Sequence, residues 1–379
     1  MNKIANSCYL WTVIGFVFSI LISCASIGTY AQTAKDTLTE AGKDTNVFKM
    51  KVLPLPTLYY TPETKTAFGI LNLFLFRVNT SARVSAIDFS IVYTQRKQLL
   101  IDPTYTIFTH NENYIINGGF VYSKFPDYFF GVGNNQIDQT HTREFIAYKT
   151  IQFHNRILRK VHKRWFAGLQ YQFYKVFDVH FDANSQYNEG NVAGFRGSTS
   201  SGLGLILLYD SRDNVLSASR GGYLEFSNLY YNSHLGGNSH FHSYKLDLRK
   251  YYTLTKKFTL ATQVLVTINE GETPFKQMAQ LGGNRTLRGY YTGRFRDNHA
   301  WVIQGELRYF LFPRVGFAVF GGVGKVASKL GEMAPTDVKG AVGGGIRVRM
   351  LRKQNFSIRL DVASGRKSNG FYVSVAEAF

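Results

Sequence analysis

The chain has 379 residues, of which 15% are aromatic and 18% are charged, and its mean hydropathy is slightly negative at -0.14. Helical membrane proteins are strongly apolar, and beyond the first 31 residues no segment approaches the roughly 20 apolar residues of a spanning helix. The formal net charge of +19 comes from scattered basic residues that form no recognition motif, so we expect no nucleic-acid partner. Such a basic chain suits anionic membrane lipids and the phosphates of lipopolysaccharide.

The first 31 residues have the pattern of a secretory signal peptide. Lys3 provides a positive start, Tyr9–Ile22 is mostly apolar, and the small residues Thr29 and Ala31 precede a cleavage point before Gln32. We therefore expect the chain to be exported.

Both cysteines, Cys8 and Cys24, lie in this leader, so we expect no disulfide or thiol chemistry after cleavage. The stretch Leu21-Ile22-Ser23-Cys24 resembles a lipoprotein signal box, which makes acylation of Cys24 an alternative to cleavage after Ala31. Residues 32–49 are polar and predict a flexible periplasmic tail.

From residue 50 onward the sequence alternates between apolar and polar residues, as strands do. Ile87, Phe89 and Ile91 share one face, whereas Asp88 and Ser90 share the other. A soluble sandwich would place the charged face in water, whereas a membrane barrel turns it to the lumen and the apolar face to lipid. Many of the segments have the length of about ten residues that a tilted membrane strand requires. The predicted strands are 50–60, 67–77, 84–96, 98–108, 114–122, 144–158, 165–177, 201–210, 222–231, 241–253, 258–269, 299–309, 315–323, 338–350, 355–362 and 370–379.

The connections between these strands alternate in length. The even-numbered ones are short apart from 211–221, and the odd-numbered ones include the long segments 123–143, 178–200, 270–298 and 324–337. Short periplasmic turns and long outer loops are the arrangement of an outer-membrane barrel, as is an even strand count. We therefore predict an all-β fold, a transmembrane antiparallel barrel of sixteen strands over 50–379, with both ends of the barrel domain on the periplasmic side.

The longest loop contains the segment Leu281-Gly-Gly-Asn-Arg-Thr-Leu-Arg288-Gly289-Tyr290, between the eleventh and twelfth predicted strands. It resembles the R-G-F/Y motif of the BamA/TamA superfamily, the bacterial surface antigen family, whose members have sixteen-stranded barrels with this motif in the same loop. The chain's last residues, Gly370–Phe379, end on an aromatic and resemble the signal read by the barrel-assembly machinery, although Glu377 interrupts the apolar face. The resemblance covers 50–379 and implies an outer-membrane protein.

The motif also has a physical interpretation. A loop folded into the lumen would bury Arg288, whose guanidinium then needs a carboxylate, and Glu306 on the twelfth strand faces the same space. Gly289 would permit a tight turn, and Tyr290 would pack on the wall. The alternative is an exposed loop whose arginines are solvated.

The sequence departs from the family pattern on the thirteenth strand. Members carry a second carboxylate there in an F-x-D-x-G pattern, and Gly322 stands at the place of that aspartate in Phe320–Gly324. The resemblance therefore supplies no second carboxylate for Arg288. We interpret Asp361 and Arg359 as mutually paired lining of the lumen.

A second segment, Asp210-Ser-Arg212-Asp213, also resembles the family and lies in the long even-numbered connection. The simpler interpretation is a salt-bridged periplasmic turn. The segments at 126–128 and 131–134 are interpreted as turns of the third outer loop.

Two functions fit these features of the sequence. The resemblance implies a role in outer-membrane protein assembly or translocation, with other outer-membrane proteins as partners. Assembly members carry periplasmic POTRA domains, for which residues 32–49 are too short, and this favours a barrel-only branch and leaves a passive pore or structural barrel as the alternative. We expect no enzyme and no cofactor, because the sequence contains neither H-E-x-x-H nor G-x-S-x-G.

Pro54 and Pro56 lie in the first predicted strand and have no amide hydrogen to donate. Residues two apart on a strand point their amides to the same neighbour, so both missing donors face one partner. We predict that this partner is the sixteenth strand, which would weaken the seam of the barrel. The alternative is that both prolines precede the strand proper.

Overall fold

The computed structural model describes residues 50–79, 82–135, 143–215, 217–351 and 356–379. The predicted signal peptide at 1–31, the lipidation alternative at Cys24 and the tail at 32–49 lie outside these residues.

Sixteen antiparallel strands form a closed barrel, which confirms the predicted fold class. Each strand pairs with its neighbours in the chain, and the last returns to the first. In chain order the strands are β1 Lys51–Thr61, β2 Lys65–Phe76, β3 Ser85–Thr94, β4 Leu99–Phe108, β5 Tyr114–Lys124, β6 Glu144–His162, β7 Trp165–His180, β8 Ser198–Asp210, β9 Gly221–Tyr231, β10 Phe241–Thr253, β11 Phe258–Gly271, β12 His299–Phe310, β13 Val315–Ala327, β14 Lys339–Leu351, β15 Phe356–Gly365 and β16 Ser368–Val375.

The long connections 125–143, 181–197 and 272–298 all leave the same end of the barrel, here called the loop end. The opposite end is called the turn end, and β1 begins and β16 ends there. Short 3-10 helices occur at His110–Glu112, Ser233–Leu235 and Leu330–Glu332. Across the described residues, no helix has the length and apolar character needed to cross a membrane.

Side chains alternate across the barrel wall as the sequence predicts. On β12, Ile303 points outward and is 51% exposed, whereas Glu306 points inward and is 1% exposed. Outward-facing Phe68, Leu205 and Val342 are likewise exposed. The outer surface is therefore apolar and the charges are turned to the lumen, as in barrels that span a membrane.

The connection 272–298 folds into the lumen and is the main filling of the barrel. Two short strands within it, Ala279–Leu281 and Phe295–Asp297, pair with each other. Leu281, Tyr290 and Phe295 pack on the inner faces of β12 and β13 and are almost fully buried. Towards the loop end, a second apolar cluster brings this loop together with β6, β7 and the connections 125–143 and 181–197: Phe129, Ile146, Tyr148, Val176, Val192 and Phe275.

The prediction that the last strand runs to residue 379 is wrong. β16 ends at Val375, and Ala376 takes a positive φ of 62° that turns the chain inward. Had the strand continued, Glu377 would have faced lipid, where a carboxylate is costly. Instead Glu377, Ala378 and Phe379 are buried inside the barrel.

Candidate functional site

Arg288 reaches the inner wall at the centre of an ion-pair network. Its Nη2 atom lies 2.5 Å from Glu306 Oε2, and its Nη1 atom lies 2.6 Å from Asp361 Oδ2. The guanidinium carbon lies 3.4 Å from the centre of the Phe320 ring. Arg288 is 3% exposed, so the alternative of a solvated loop arginine does not describe this structure.

The network contains four arginines and three carboxylates, all buried, and is called the arginine cluster. Glu306 Oε1 also lies 2.7 Å from Arg308 Nε and 3.3 Å from Arg347 Nη2. Arg347 Nη1 lies 2.6 Å from Asp361 Oδ1. Charges removed from water in this way need partners on several sides, and each carboxylate here meets at least two guanidinium groups. The members are Arg288, Arg308, Arg347, Arg359, Glu306, Asp361 and Glu377.

Arg288 thus has a second carboxylate, which comes from β15 instead of β13. Asp361 accepts from Arg288 and from Arg347, and also lies 3.2 Å from Arg359, so its interpretation as a simple partner of Arg359 is incomplete. The aspartate position of the family pattern has no room here, because a Cβ on Gly322 would lie 2.7 Å from the Cβ of Gln304. Gln304 instead accepts from the backbone amide of Leu287, at 3.1 Å, and so holds the loop.

Gly289 and Tyr290 attach the loop to the last strands. Gly289 has a φ of 116° and donates its amide to the Tyr372 hydroxyl on β16, at 3.0 Å. The Tyr290 hydroxyl donates to the Gly340 carbonyl on β14, at 2.8 Å, and accepts from the Arg366 amide, at 2.9 Å. The motif therefore connects β14, β15 and β16 from inside.

The four residues that follow β16 cross the turn end of the lumen. Glu377 Oε2 lies 2.8 Å from Arg347 Nε. Arg308 donates to the Phe379 carbonyl, at 3.0 Å, and to the Ala218 carbonyl in the β8–β9 connection, at 3.1 Å. Phe379 packs with side chains of β10 and β11. Residues 376–379, here called the inward tail, thus link the last strand to the arginine cluster and to the far wall.

The loop has a second anchor near the loop end of the barrel. Lys276 is partly exposed as a residue, but its ammonium donates to the buried Tyr148 hydroxyl at 2.6 Å. Burial lowers the pKa of Lys276 to about 8; Asp127 opposes this shift and Arg296 reinforces it. Asp127 accepts from the Tyr291 hydroxyl at 2.6 Å. The interpretation of 126–128 as a turn is wrong, because Asp127–Phe129 is a short strand that pairs with β6, and its first residue also contacts the lumenal loop.

The segment at the start of the β8–β9 connection forms a salt-bridged turn. Arg212 makes two contacts with Asp210, Nε to Oδ1 at 2.9 Å and Nη2 to Oδ2 at 3.0 Å. Asp213 accepts from the backbone amides of Ser219 and Arg220, at 2.9 and 3.2 Å. The segment therefore has the geometry of a salt-bridged turn, which is the simpler interpretation of its sequence.

The seam between β1 and β16 has far less pairing than its neighbours. Within the described residues the two strands share one ladder pair, Tyr60 with Val373, whereas β1 and β2 are paired from Lys51 to Thr61. Outside the barrel, the Tyr60 and Phe371 rings lie 5.5 Å apart across the seam.

Both prolines lie inside β1, and the ladder gives their direction. The Thr66 carbonyl on β2 accepts from the Gln95 amide, so the backbone groups of Thr66 point towards β3. Neighbouring residues on a strand point their backbone groups to opposite sides, so those of Lys65 point towards β1. Lys65 is paired with Thr61, whose backbone groups therefore point towards β2. By alternation, Tyr60, Pro56 and Pro54 face β16. Continuing the register from Tyr60 and Val373 would place residues 377 and 379 opposite the prolines, but the inward tail leaves the wall before them.

Sequence reasoning did not identify Arg308, Arg347 or Glu377 as members of the cluster. Arg308 shares the inner face of β12 with Glu306, so alternation placed it correctly without naming its partners. Glu377 gave the clearest indication in the sequence, because it is a charged residue on the face of the last predicted strand that would otherwise carry only apolar side chains towards lipid. Within the described residues, no group of His, Cys, Asp or Glu has the geometry of a metal site.

A closed sixteen-stranded barrel, apolar outside and filled by a loop whose Arg-Gly-Tyr segment is bonded to the inner wall, defines a transmembrane β-barrel with a plugged lumen. A family model described as the Omp85 superfamily domain matches residues 77–379, and the chain belongs to this superfamily. A search of curated proteins found no match.

Solved structures share the fold. BamA from Haemophilus ducreyi lacking POTRA domains 1–3 has a TM-score of 0.59 at 12% identity, over 91% of this chain and 77% of that chain. CdiB from Escherichia coli has a TM-score of 0.57 at 9% identity, over 89% and 69%. CdiB from Acinetobacter baumannii has a TM-score of 0.53 at 11% identity, over 89% and 66%.

Proposed function

We propose that this protein resides in the outer membrane and promotes the assembly or translocation of other outer-membrane proteins through the seam between β1 and β16. The observation that carries the proposal is the single ladder pair between these strands. An unpaired strand edge is a template for another strand, and barrels otherwise have no such edge. The edge of β1 before Leu58 faces no partner on β16 among the described residues.

Two further features support the proposal over a passive pore. The prolines remove donors only from the seam side of β1, so the pairing between β1 and β2 keeps its amides. The lumen is occupied by a loop whose motif is bonded to four strands, β12 and β14–β16. A lumen filled in this way disfavours passive diffusion through the barrel and favours a function at the strands of its wall.

The test is a disulfide across the seam. Residues 50–379 contain no cysteine, so Tyr60→Cys with Val373→Cys introduces a defined pair. Directly opposed residues of this kind lie about 5.5 Å apart, within the range of a disulfide. The control is Ile70→Cys with Ile91→Cys, an outward-facing pair in the complete β2–β3 ladder.

The measurement is the folding rate of a urea-denatured outer-membrane barrel protein into lipid vesicles that contain the variant. We expect acceleration that oxidation of the seam pair abolishes and a reductant restores, with no effect of oxidation on the control pair. Full acceleration by the oxidised seam variant would reject the seam as the working edge. A wild-type protein that gives no acceleration and a large steady conductance in planar bilayers would favour the pore.

A further inference from the structure

A groove crosses the outer, lipid-facing surface of the wall from β11 to β15, on the opposite face of the wall from the arginine cluster. Its volume is about 620 Å³, and its surface is almost entirely apolar. The floor is formed by the outward glycines Gly305, Gly321 and Gly340, and the sides are formed by Val264, Ile303, Val323 and Val342.

The groove exists because these glycines carry no side chain. A Cβ on Gly305 would meet no atom closer than 3.7 Å, and one on Gly340 none closer than 4.0 Å. On Gly321 the nearest atom would be 3.4 Å away, an ordinary contact. Larger residues would therefore fit sterically at all three positions.

The groove runs obliquely towards the loop end of the barrel. It begins at Val264, near the middle of β11, and ends at Ser364 and Gly365, the last residues of β15. Arg366 and Lys367 follow immediately in the β15–β16 turn, and both are exposed. The apolar groove therefore terminates beside two positive charges.

We propose that this groove binds one acyl chain of an anionic phosphorylated lipid of the outer leaflet, with its phosphate at Arg366 and Lys367. An apolar groove open to the bilayer accepts a hydrocarbon chain, and the adjacent cations select a negatively charged headgroup. The loop end lies in the outer leaflet, because long loops face outward in such barrels. The proposal rests on membrane insertion and is independent of the assembly activity.

Charge at a membrane surface sets the expected preference. Each basic residue near the surface favours an anionic lipid by about fivefold, so two residues should together give a preference of about 25-fold over a zwitterionic lipid. The groove alone would hold both lipids equally.

Trp301 provides a probe within the protein. It lies on the outward face of β12, two residues from Ile303, and its indole donates to the Met333 carbonyl at 2.9 Å. The other tryptophan of the barrel, Trp165, begins β7 at the turn end and can be replaced by Trp165→Phe. Bromine atoms on an acyl chain in the groove would then quench the Trp301 fluorescence.

The experiment compares brominated phosphatidic acid with brominated phosphatidylcholine, each at the same small mole fraction in unbrominated phosphatidylcholine vesicles containing the full chain. We expect half-maximal quenching at an about 25-fold lower fraction of the phosphatidic acid. Arg366→Ser with Lys367→Asn should abolish this difference, because asparagine tolerates the positive φ of residue 367 and neither change enters the groove. Gly305→Leu with Gly321→Leu should reduce quenching by both lipids.

Matched controls separate the site from general effects. Gly344→Leu adds an outward leucine on β14 outside the groove, and Lys256→Asn with Lys257→Ser removes two exposed charges at the turn end. Both controls should keep the wild-type preference. Equal quenching by the two lipids in the wild type, or a preference that survives loss of Arg366 and Lys367, would overturn the proposal whatever the assembly assay shows.

Discussion

Two parts of the same wall are held together in different ways. Between β12 and β15, ladders of ten or more residue pairs are reinforced from inside by Glu306 and Asp361, each of which meets three guanidinium groups. Between β16 and β1, one ladder pair and one aromatic contact join the strands. Buried ion pairs fix geometry more than they add stability, whereas a strand edge without partners is free to accept one. The comparison indicates that the rigid part of the wall and the adaptable part are separate and adjacent.

The largest effect should follow from breaking the rigid part. Glu306→Gln leaves Arg288, Arg308 and Arg347 without their shared carboxylate, and removal of one partner from a buried pair costs about 3–5 kcal/mol. We expect a lower unfolding temperature or folded yield, measured by heat-dependent mobility in gels. Glu332→Gln, which alters an exposed carboxylate, should change neither. A wild-type unfolding temperature for Glu306→Gln would show that the cluster does not hold the wall.

A smaller loss is expected at the inward tail. Glu377→Gln weakens the contact with Arg347, which keeps Glu306 and Asp361, so the cost should be about 1.5–3 kcal/mol for one charge-assisted hydrogen bond. Carboxypeptidase should also remove residues 376–379 faster from this variant than from the wild type. Equal digestion of both proteins would mean that Phe379 and its apolar neighbours hold the tail unaided.

The aromatic contact at the seam should contribute still less. A double-mutant cycle with Tyr60→Ala and Phe371→Ala is expected to give a coupling of about 0.5–1.5 kcal/mol in the free energy of unfolding. Phe68 and Tyr93, 5.9 Å apart across the complete β2–β3 ladder, are the matched pair. If the seam is the adaptable part, the double variant Tyr60→Ala with Phe371→Ala should accelerate the folding of the urea-denatured barrel protein into vesicles. The double variant Phe68→Ala with Tyr93→Ala should not.

The smallest effect should be confined to the loop at Lys276. Because its folded-state pKa is lowered to about 8, the protonated form is disfavoured in the docked loop, and docking should strengthen as the pH rises through 8 towards 10.5. Hydrogen exchange of residues 272–281, normalised to the unstructured rate at each pH, should therefore slow between pH 7 and 9. Lys276→Met should show no such change, and global unfolding should respond little in either protein. A pH-independent wild-type loop would contradict this assignment.

Local patterns were sufficient for the wall but not for the cluster. Alternation located the sixteen strands, and a buried arginine in a lumenal loop requires a carboxylate, which pointed to Glu306 on the next strand. Asp361 lies three strands from Glu306, and only the register across β12–β15 brings both to Arg288. Periodicity in one strand carries no information on that register.

The end of the chain shows a second limit. Val375 and the residues before it fit a strand, and Ala376 is not a residue that signals a left-handed turn. The change of direction is imposed by distant groups, since Arg347 and Arg308 bind Glu377 and the Phe379 carbonyl inside the barrel. In the sequence, only the charged Glu377 on an otherwise apolar strand face indicated this change of direction.

The lumenal loop also holds both edges of the seam near one end. Glu63, in the turn after β1, accepts from the Thr292 amide at 2.7 Å, and Tyr372 on β16 accepts from Gly289 only three residues earlier in the loop. The prolines and the departing tail lie towards the opposite end. Any separation of the two strands would therefore begin at the turn end and widen there into a wedge, with its vertex at the loop. In the proposed assembly role, a strand of another outer-membrane protein would enter from the periplasmic side and meet a gap that narrows towards the cell surface. The loop would therefore limit how much of that strand can pair with the seam before the contacts at Glu63 and Tyr372 must break.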